Sequence, residues 1–163
     1  MTFILFISFV ILLRIGELFL SRSNEKWLLL NGAVEYGQKH YSLIVMLHIS
    51  FFISVIVEYS VNQSASYSLL LLILYFFVLA LKAWVIVSLG KFWNTKIFHI
   101  PDIALIKSGP YTYFKHPNYL IVIIEIAVIP LIFHLYFTAI IFSVLNSIML
   151  FVRIKEENRA LRI

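Results

Sequence analysis

Cysteine does not occur in the 163 residues, which removes disulfides, thiol nucleophiles and Cys-ligated zinc or iron–sulfur centres from the available chemistry. Charge is scarce as well. Asp, Glu, Lys and Arg together make up 13% of the chain, about half of what soluble domains carry. The five glycines, at 16, 32, 37, 90 and 109, do not cluster, so the Gly-rich turn of a soluble nucleotide-binding fold is missing. The five histidines, at 40, 48, 99, 116 and 134, are nowhere spaced four apart; that leaves no basis for expecting a metal site. Ten-residue segments of alternating polarity are absent too, which argues against a transmembrane β-barrel.

Hydrocarbon is what the chain has in quantity. Apolar residues account for 62% of it and the mean hydropathy is +0.97, values that belong to an integral membrane protein whose spans are helices satisfying their own backbone groups. The first apolar run, from Thr2, has no basic stretch before it and no small-residue cleavage pattern after it, and reads as a retained span. Apolar runs place spans at about 2–20, 41–57, 67–89, 119–133 and 135–152. Pro130 and His134 mark a bend between the last two, which form a helical hairpin. The expected fold is therefore all-α, an integral membrane bundle of about five transmembrane helices with residues 1–163 as one domain.

Basic residues fall on one side of that bundle. Arg22, Lys26 and Lys39 follow the first span, Lys91, Lys96, Lys107 and Lys115 follow the third, and Arg153, Lys155, Arg159 and Arg162 follow the fifth. Residues 58–66 and the bend near His134 carry none. The positive-inside rule makes the basic side cytoplasmic and puts the N-terminus outside and the C-terminus inside. Attraction to anionic lipid headgroups accounts for the basic excess. Spread over three short segments without a recognition helix, it gives nucleic-acid binding no support.

One polar stretch interrupts the hydrocarbon: "SGPYTYFKHPNY", residues 108–119. Pro117 suits the first turn of a helix and pushes His116 out of helical geometry, so the fourth span starts here. Ser108 to Tyr111 read as a turn, and Tyr111, Tyr113, Phe114 and Tyr119 as an interfacial aromatic belt. A belt has no need of His116 or Asn118. Gly109, Tyr111, Lys115, His116, Pro117 and Tyr119, together with Arg153, Glu157 and Leu161 of "RIKEENRAL", resemble the paired signature of the isoprenylcysteine carboxyl methyltransferase family, with Lys115 where the family usually has Arg. Over the N-terminal half the likeness is of general character, closer to bacterial relatives that methylate long-chain polyketide products such as alkylpyrones than to the protein-methylating branch.

The resemblance implies S-adenosylmethionine as cofactor, held at the cytoplasmic face of a bacterial membrane. By position Tyr111, His116, Pro117, Asn118, Tyr119 and Glu157 would line its pocket, with Ile103, Ala104, Leu105 and Ile106 alongside, and Arg153 would be the catalytic residue facing the acceptor. The acceptor would be a lipophilic molecule with an acidic oxygen, a carboxylate or an enol. Such an oxygen is anionic near neutral pH, so the protein chiefly has to position two reactants. Read without the family, Arg153 and Glu157 are equally an i,i+4 surface pair, and His116 and Asn118 are equally plain helix caps. Arg14, Glu17, Lys82 and Glu125 lie inside spans, where charge is expensive and functional by default. They are either internal ion pairs or the polar floor of an acceptor-binding tunnel, with Arg14, Glu17 and Glu125 as its substrate-binding residues. Two other functions fit a chain of this kind: a nicotinamide-dependent membrane reductase, and a non-catalytic membrane subunit.

Overall fold

The computed structural model describes residues 1–62, 66–101, 103 and 106–161. Five helices carry the fold: α1 (Thr2–Leu30), α2 (Gln38–Asn62), α3 (Leu69–Leu89), α4 (Pro117–Leu131) and α5 (Tyr136–Leu161). Four of them are long and apolar enough to cross a membrane, and α4 is a shorter apolar helix. The architecture is the all-α membrane bundle that the hydropathy calls for. Packing runs α2 against α5, α5 against α4 and α4 against α3, while α1 joins through Phe3, Phe6, Ile7 and Val10 in the main core.

α1 and α5 outrun their apolar stretches furthest. α1 continues through the polar residues 21–26 to Leu30, and α5 continues to Leu161. Nothing in residues 17–30 breaks a helix, so Trp27 to Leu30 are the last turn of α1. At 29 residues α1 is about 43 Å long, more than the roughly 30 Å of a hydrocarbon core. α1 ends in a left-handed turn at Gly32, φ +80°, where the amides of Gly32 and Ala33 bond the carbonyls of Leu29 and Leu28 at 3.1 and 3.0 Å. This double closure satisfies the last carbonyls of the helix, and Leu28 packs on Ala33 beneath it.

The same closure forms the α4–α5 bend. His134 takes the left-handed position, φ 58°, and the amides of His134 and Leu135 bond the carbonyls of Leu131 and Pro130 at 3.1 and 3.0 Å. Pro130 is inside α4, four residues before the left-handed His134, so the bend is made at His134 and not at the proline. Around this end, Phe3 stacks on Tyr59 at 3.6 Å and meets Phe133 edge-on at 5.0 Å.

At the opposite, basic end the chain pairs what hydropathy leaves blank. β1 (Val34–Tyr36) and β2 (Ile97–His99) form a two-stranded antiparallel sheet with Val34 opposite His99. Strands of three residues are too short to show an alternating pattern. The sheet fastens the α1–α2 connection to the segment after α3. The overhang of α1 does the same: buried Asn24 donates to the carbonyl of Trp93 at 2.7 Å, and Ser21 Oγ bonds Asn94 Oδ1 at 2.9 Å and accepts from the Thr95 amide at 3.1 Å.

α5 starts without a side chain of its own as cap. Glu58, on α2, accepts from the amides of Phe137 at 3.1 Å and Thr138 at 2.7 Å, placing a carboxylate on the positive end of the helix. Replacing Glu58 by Ala is expected to cost about 1–2 kcal/mol of unfolding free energy. Denaturant titration in detergent micelles measures it, against the exposed Arg22→Ala as a surface control.

Candidate functional site

The site begins with Pro117 at the start of α4 and His116 held out of helical geometry before it, φ −132° and ψ 62°. His116 does not cap its own helix. Its ring turns to α5 instead, with Nε2 3.1 Å from Asn158 Oδ1 and Nδ1 3.5 Å from Glu157 Oε2. One turn along α4, the buried Tyr119 stacks against the His116 ring at 5.4 Å. The Tyr119 hydroxyl donates to Glu157 and accepts from Arg153 Nε at 3.0 Å.

Arg153 and Glu157, one turn apart on α5, therefore meet through Tyr119; among the described residues they form no direct ion pair. The Arg153 guanidinium also lies over the Tyr119 ring, 5.4 Å from its centroid, and its Nη2 donates to the carbonyl of Thr95. Among the described residues its Nη1 has no partner. Thr95 is itself fixed by Ser21 Oγ at 2.8 Å and by the Tyr41 hydroxyl at 3.2 Å.

The turn before α4 lies on the end of α3 and depends on Gly109. Its φ is +55°, and a Cβ there would sit 2.1 Å from Ser88 Oγ and 3.1 Å from Trp84 Nε1. The expected aromatic belt divides: Tyr113 (80% exposed) and Phe114 face outward, whereas Tyr111 and Tyr119 turn in.

Two spaces meet at these residues. On the basic side is a cleft with two adjoining lobes of about 550 and 1140 Å³, both bounded by Leu89, Phe92, Tyr111, His116 and Glu157. Ile103 and Ile106 line the outer lobe; Ala104 and Leu105 lie outside the described residues. Pro117 is buried beneath the wall. Among α1, α2, α4 and α5 is a largely apolar chamber of about 1200 Å³. Trp93, Asn118, Tyr119 and Arg153 belong to both the inner lobe and the chamber and so form a partition between them. Exposed Leu18 on α1 and Val45 and Ile49 on α2 flank the chamber, leaving it a side towards lipid.

The intramembrane charges form one cluster. Arg14 holds Glu17 at 2.9 Å and Glu125 at 2.8 Å. Lys82 holds Glu125 at 3.2 Å and also Glu17. Two cations and two anions leave no net charge, which is what makes such burial tolerable. Arg14, Glu17 and Lys82 line the chamber. Glu125, 2% exposed, sits behind them with its carboxylate bound to Arg14 and Lys82, away from where an acceptor could touch it.

Trp93, Asn94, Thr95, His48 and Asn146, all in cleft or chamber walls, have no counterpart in the sequence expectation. "FWNTK" after α3 was the available sign: small polar side chains at the basic end, next to a Trp that reads as a membrane-interface anchor.

Electrostatically, the hydrogen bond that Glu157 accepts from the His116 ring is the largest influence on His116 and holds its pKa above the ordinary 6.5. Burial, then the Glu157 charge, pushes the Tyr111 phenol up. Because the folded value of His116 is raised, its pairing with Glu157 contributes stability fully below 6.5, and that contribution is lost as pH rises through the folded value. NMR titration of the His116 ring in nanodiscs should give a midpoint above that of free histidine, and Glu157→Gln should bring it down. Equal midpoints in the two proteins would break the link.

The sequence profile of the isoprenylcysteine carboxyl methyltransferase family matches residues 70–163, which hold every cleft-lining residue except Leu28. Along almost its whole length the chain is similar to the uncharacterized protein YpbQ of Bacillus subtilis (strain 168), with 41% identity over 162 residues covering 98% of this chain and 96% of that one. An uncharacterized protein of Haemophilus influenzae (strain ATCC 51907 / DSM 11121 / KW20 / Rd) is 30% identical over 158 residues, 93% of this chain and 90% of its own. No solved structure matches the chain. Both the profile over more than half its residues and these full-length likenesses say that the chain belongs to the isoprenylcysteine carboxyl methyltransferase family, membrane enzymes that in general use S-adenosylmethionine.

Proposed function

We propose that this protein is an S-adenosylmethionine-dependent O-methyltransferase that acts, as one domain spanning residues 1–163, on a lipophilic acceptor with an acidic oxygen, and that its basic end faces the cytoplasm with the N-terminus outside. The observation that carries this reading is the shared partition: Trp93, Asn118, Tyr119 and Arg153 bound a polar cleft on one side and an apolar, lipid-flanked chamber on the other. A water-soluble donor and a greasy acceptor need that juxtaposition.

The cleft residues fit the cofactor. Glu157 offers carboxylate oxygens to amino or hydroxyl groups, Phe92 and Tyr111 offer apolar faces, and the positive N-terminal end of the α4 dipole favours a carboxylate. Ile103, Ile106, His116, Asn118 and Tyr119 would complete the wall, Pro117 would fix where α4 begins, and Ala104 and Leu105 belong to the same proposed segment. What the cofactor supplies when bound is a methyl group on a positively charged sulfur.

Arg153 is the proposed catalytic residue. Three restraints hold its guanidinium: the Tyr119 hydroxyl, the Tyr119 ring and the Thr95 carbonyl. Its remaining edge borders the chamber and would orient an anionic oxygen against the partition. A carboxylate or acidic enol arrives already ionised, so positioning replaces base catalysis. Arg14 and Glu17 are the proposed floor beneath the acceptor, and Glu125 supports them from behind.

Calorimetric titration of the purified protein with S-adenosylhomocysteine tests the cofactor half: Glu157→Ala and His116→Ala should each weaken binding by about tenfold or more. For the acceptor half, tritiated S-adenosylmethionine is supplied with a bacterial lipid extract. Arg153→Ala should lower label incorporation by about a hundredfold while S-adenosylhomocysteine affinity stays within about threefold. A protein that binds NADPH and not S-adenosylhomocysteine would be a reductase, and one that binds neither a non-catalytic subunit.

A further inference from the structure

One face of α5 lines the chamber with residues 146, 149, 150 and 153, the spacing of a single helical stripe. Its ends are polar, Asn146 and Arg153, and its middle is Met149 and Leu150. Seven residues separate the ends, a rise of about 10 Å. Asn146 is therefore deep, remote from the partition.

Asn146 differs from the other polar groups there. Arg14, Glu17 and Lys82 bind one another and Glu125, and His48 Nδ1 donates to the carbonyl of Ile44 at 2.8 Å. Asn146 is 2% exposed, yet its Nδ2 has no hydrogen-bond partner among the described residues. At the partition the Nε1 of Trp93, 3% exposed, is a second buried donor without one. A dry, unpaired N–H destabilises the protein until something supplies an oxygen.

We propose that Asn146 is a specificity-determining residue for the methyl acceptor, its side-chain amide donating to a second oxygen of the acceptor's head, one set apart from the oxygen that Arg153 orients. The acceptor class this selects is a lipid whose polar head carries an additional carbonyl or ether oxygen, with the tail leaving between α1 and α2 past Leu18 and Ile49. A simple fatty carboxylate has its only oxygens at Arg153 and would set hydrocarbon against Asn146 and the ion cluster. The inference rests on the methyltransferase reading.

The test uses full-length protein in nanodiscs, tritiated S-adenosylmethionine and bacterial lipid extract, with Asn146→Ala removing the donor without adding bulk. The half-saturating extract concentration should rise about tenfold or more, S-adenosylhomocysteine affinity should not change, and the melting temperature should stay level or rise, because an unpaired buried donor has gone. The isosteric Asn146→Asp, which puts an acceptor where the donor was, should lose more label than the Ala variant. Added palmitic acid should take up no label. An active wild type beside an Ala variant that saturates like it, or a fall in melting temperature of the Ala variant, overturns the role of Asn146 alone. A wild type that neither binds S-adenosylhomocysteine nor incorporates label overturns the methyltransferase reading, and the assignment with it.

Discussion

The Tyr119 hydroxyl is the joint on which the site depends. It donates to Glu157 and accepts from Arg153, so one oxygen fixes two side chains of α5 against the first turn of α4, and the Tyr119 ring also stacks on His116 and lies under the Arg153 guanidinium. Without it, two long charged side chains one turn apart would be free to pair with each other. Such a pair is worth little at a helix surface. Routed through a buried phenol, the same charges face different spaces.

That joint has its own support. Arg153 reaches Thr95, Thr95 is held by Ser21 and Tyr41, and Ser21 belongs to the overhang of α1. The α1 residues beyond the apolar run therefore act on the site without touching the cleft's polar wall. The buried ion cluster braces the bundle one level lower, joining α1, α3 and α4 through Arg14, Glu17, Lys82 and Glu125. Breaking a desolvated group of this kind strands a charge in hydrocarbon, so its members are bound to one another's presence.

Hydropathy made the helices legible because a bilayer demands long apolar runs, and the family signature made Tyr111, His116, Tyr119, Arg153 and Glu157 legible because the spacing of the two motifs matches a hairpin of this length. Three features stayed hidden. The overhangs of α1 and α5 lie where composition turns polar while the backbone remains helical. The sheet between Val34–Tyr36 and Ile97–His99 depends on pairing across more than sixty residues, which no local pattern records. Asn146 and His48 look like isolated polar residues in apolar helices, and only the shape of the bundle brings them to one space. Arg14, Glu17, Lys82 and Glu125 were each visible as costly charges, but that they close into a neutral set of four follows from how α1, α3 and α4 approach.

α4 has 15 residues and rises about 22 Å from the bend, some 8 Å less than a typical hydrocarbon thickness. With the bend at one face of a bilayer, a helix of that rise would leave its polar first turn short of the opposite phospholipid heads, where water could reach it. An amphiphile there would meet aqueous solutes without being lifted out of the leaflet.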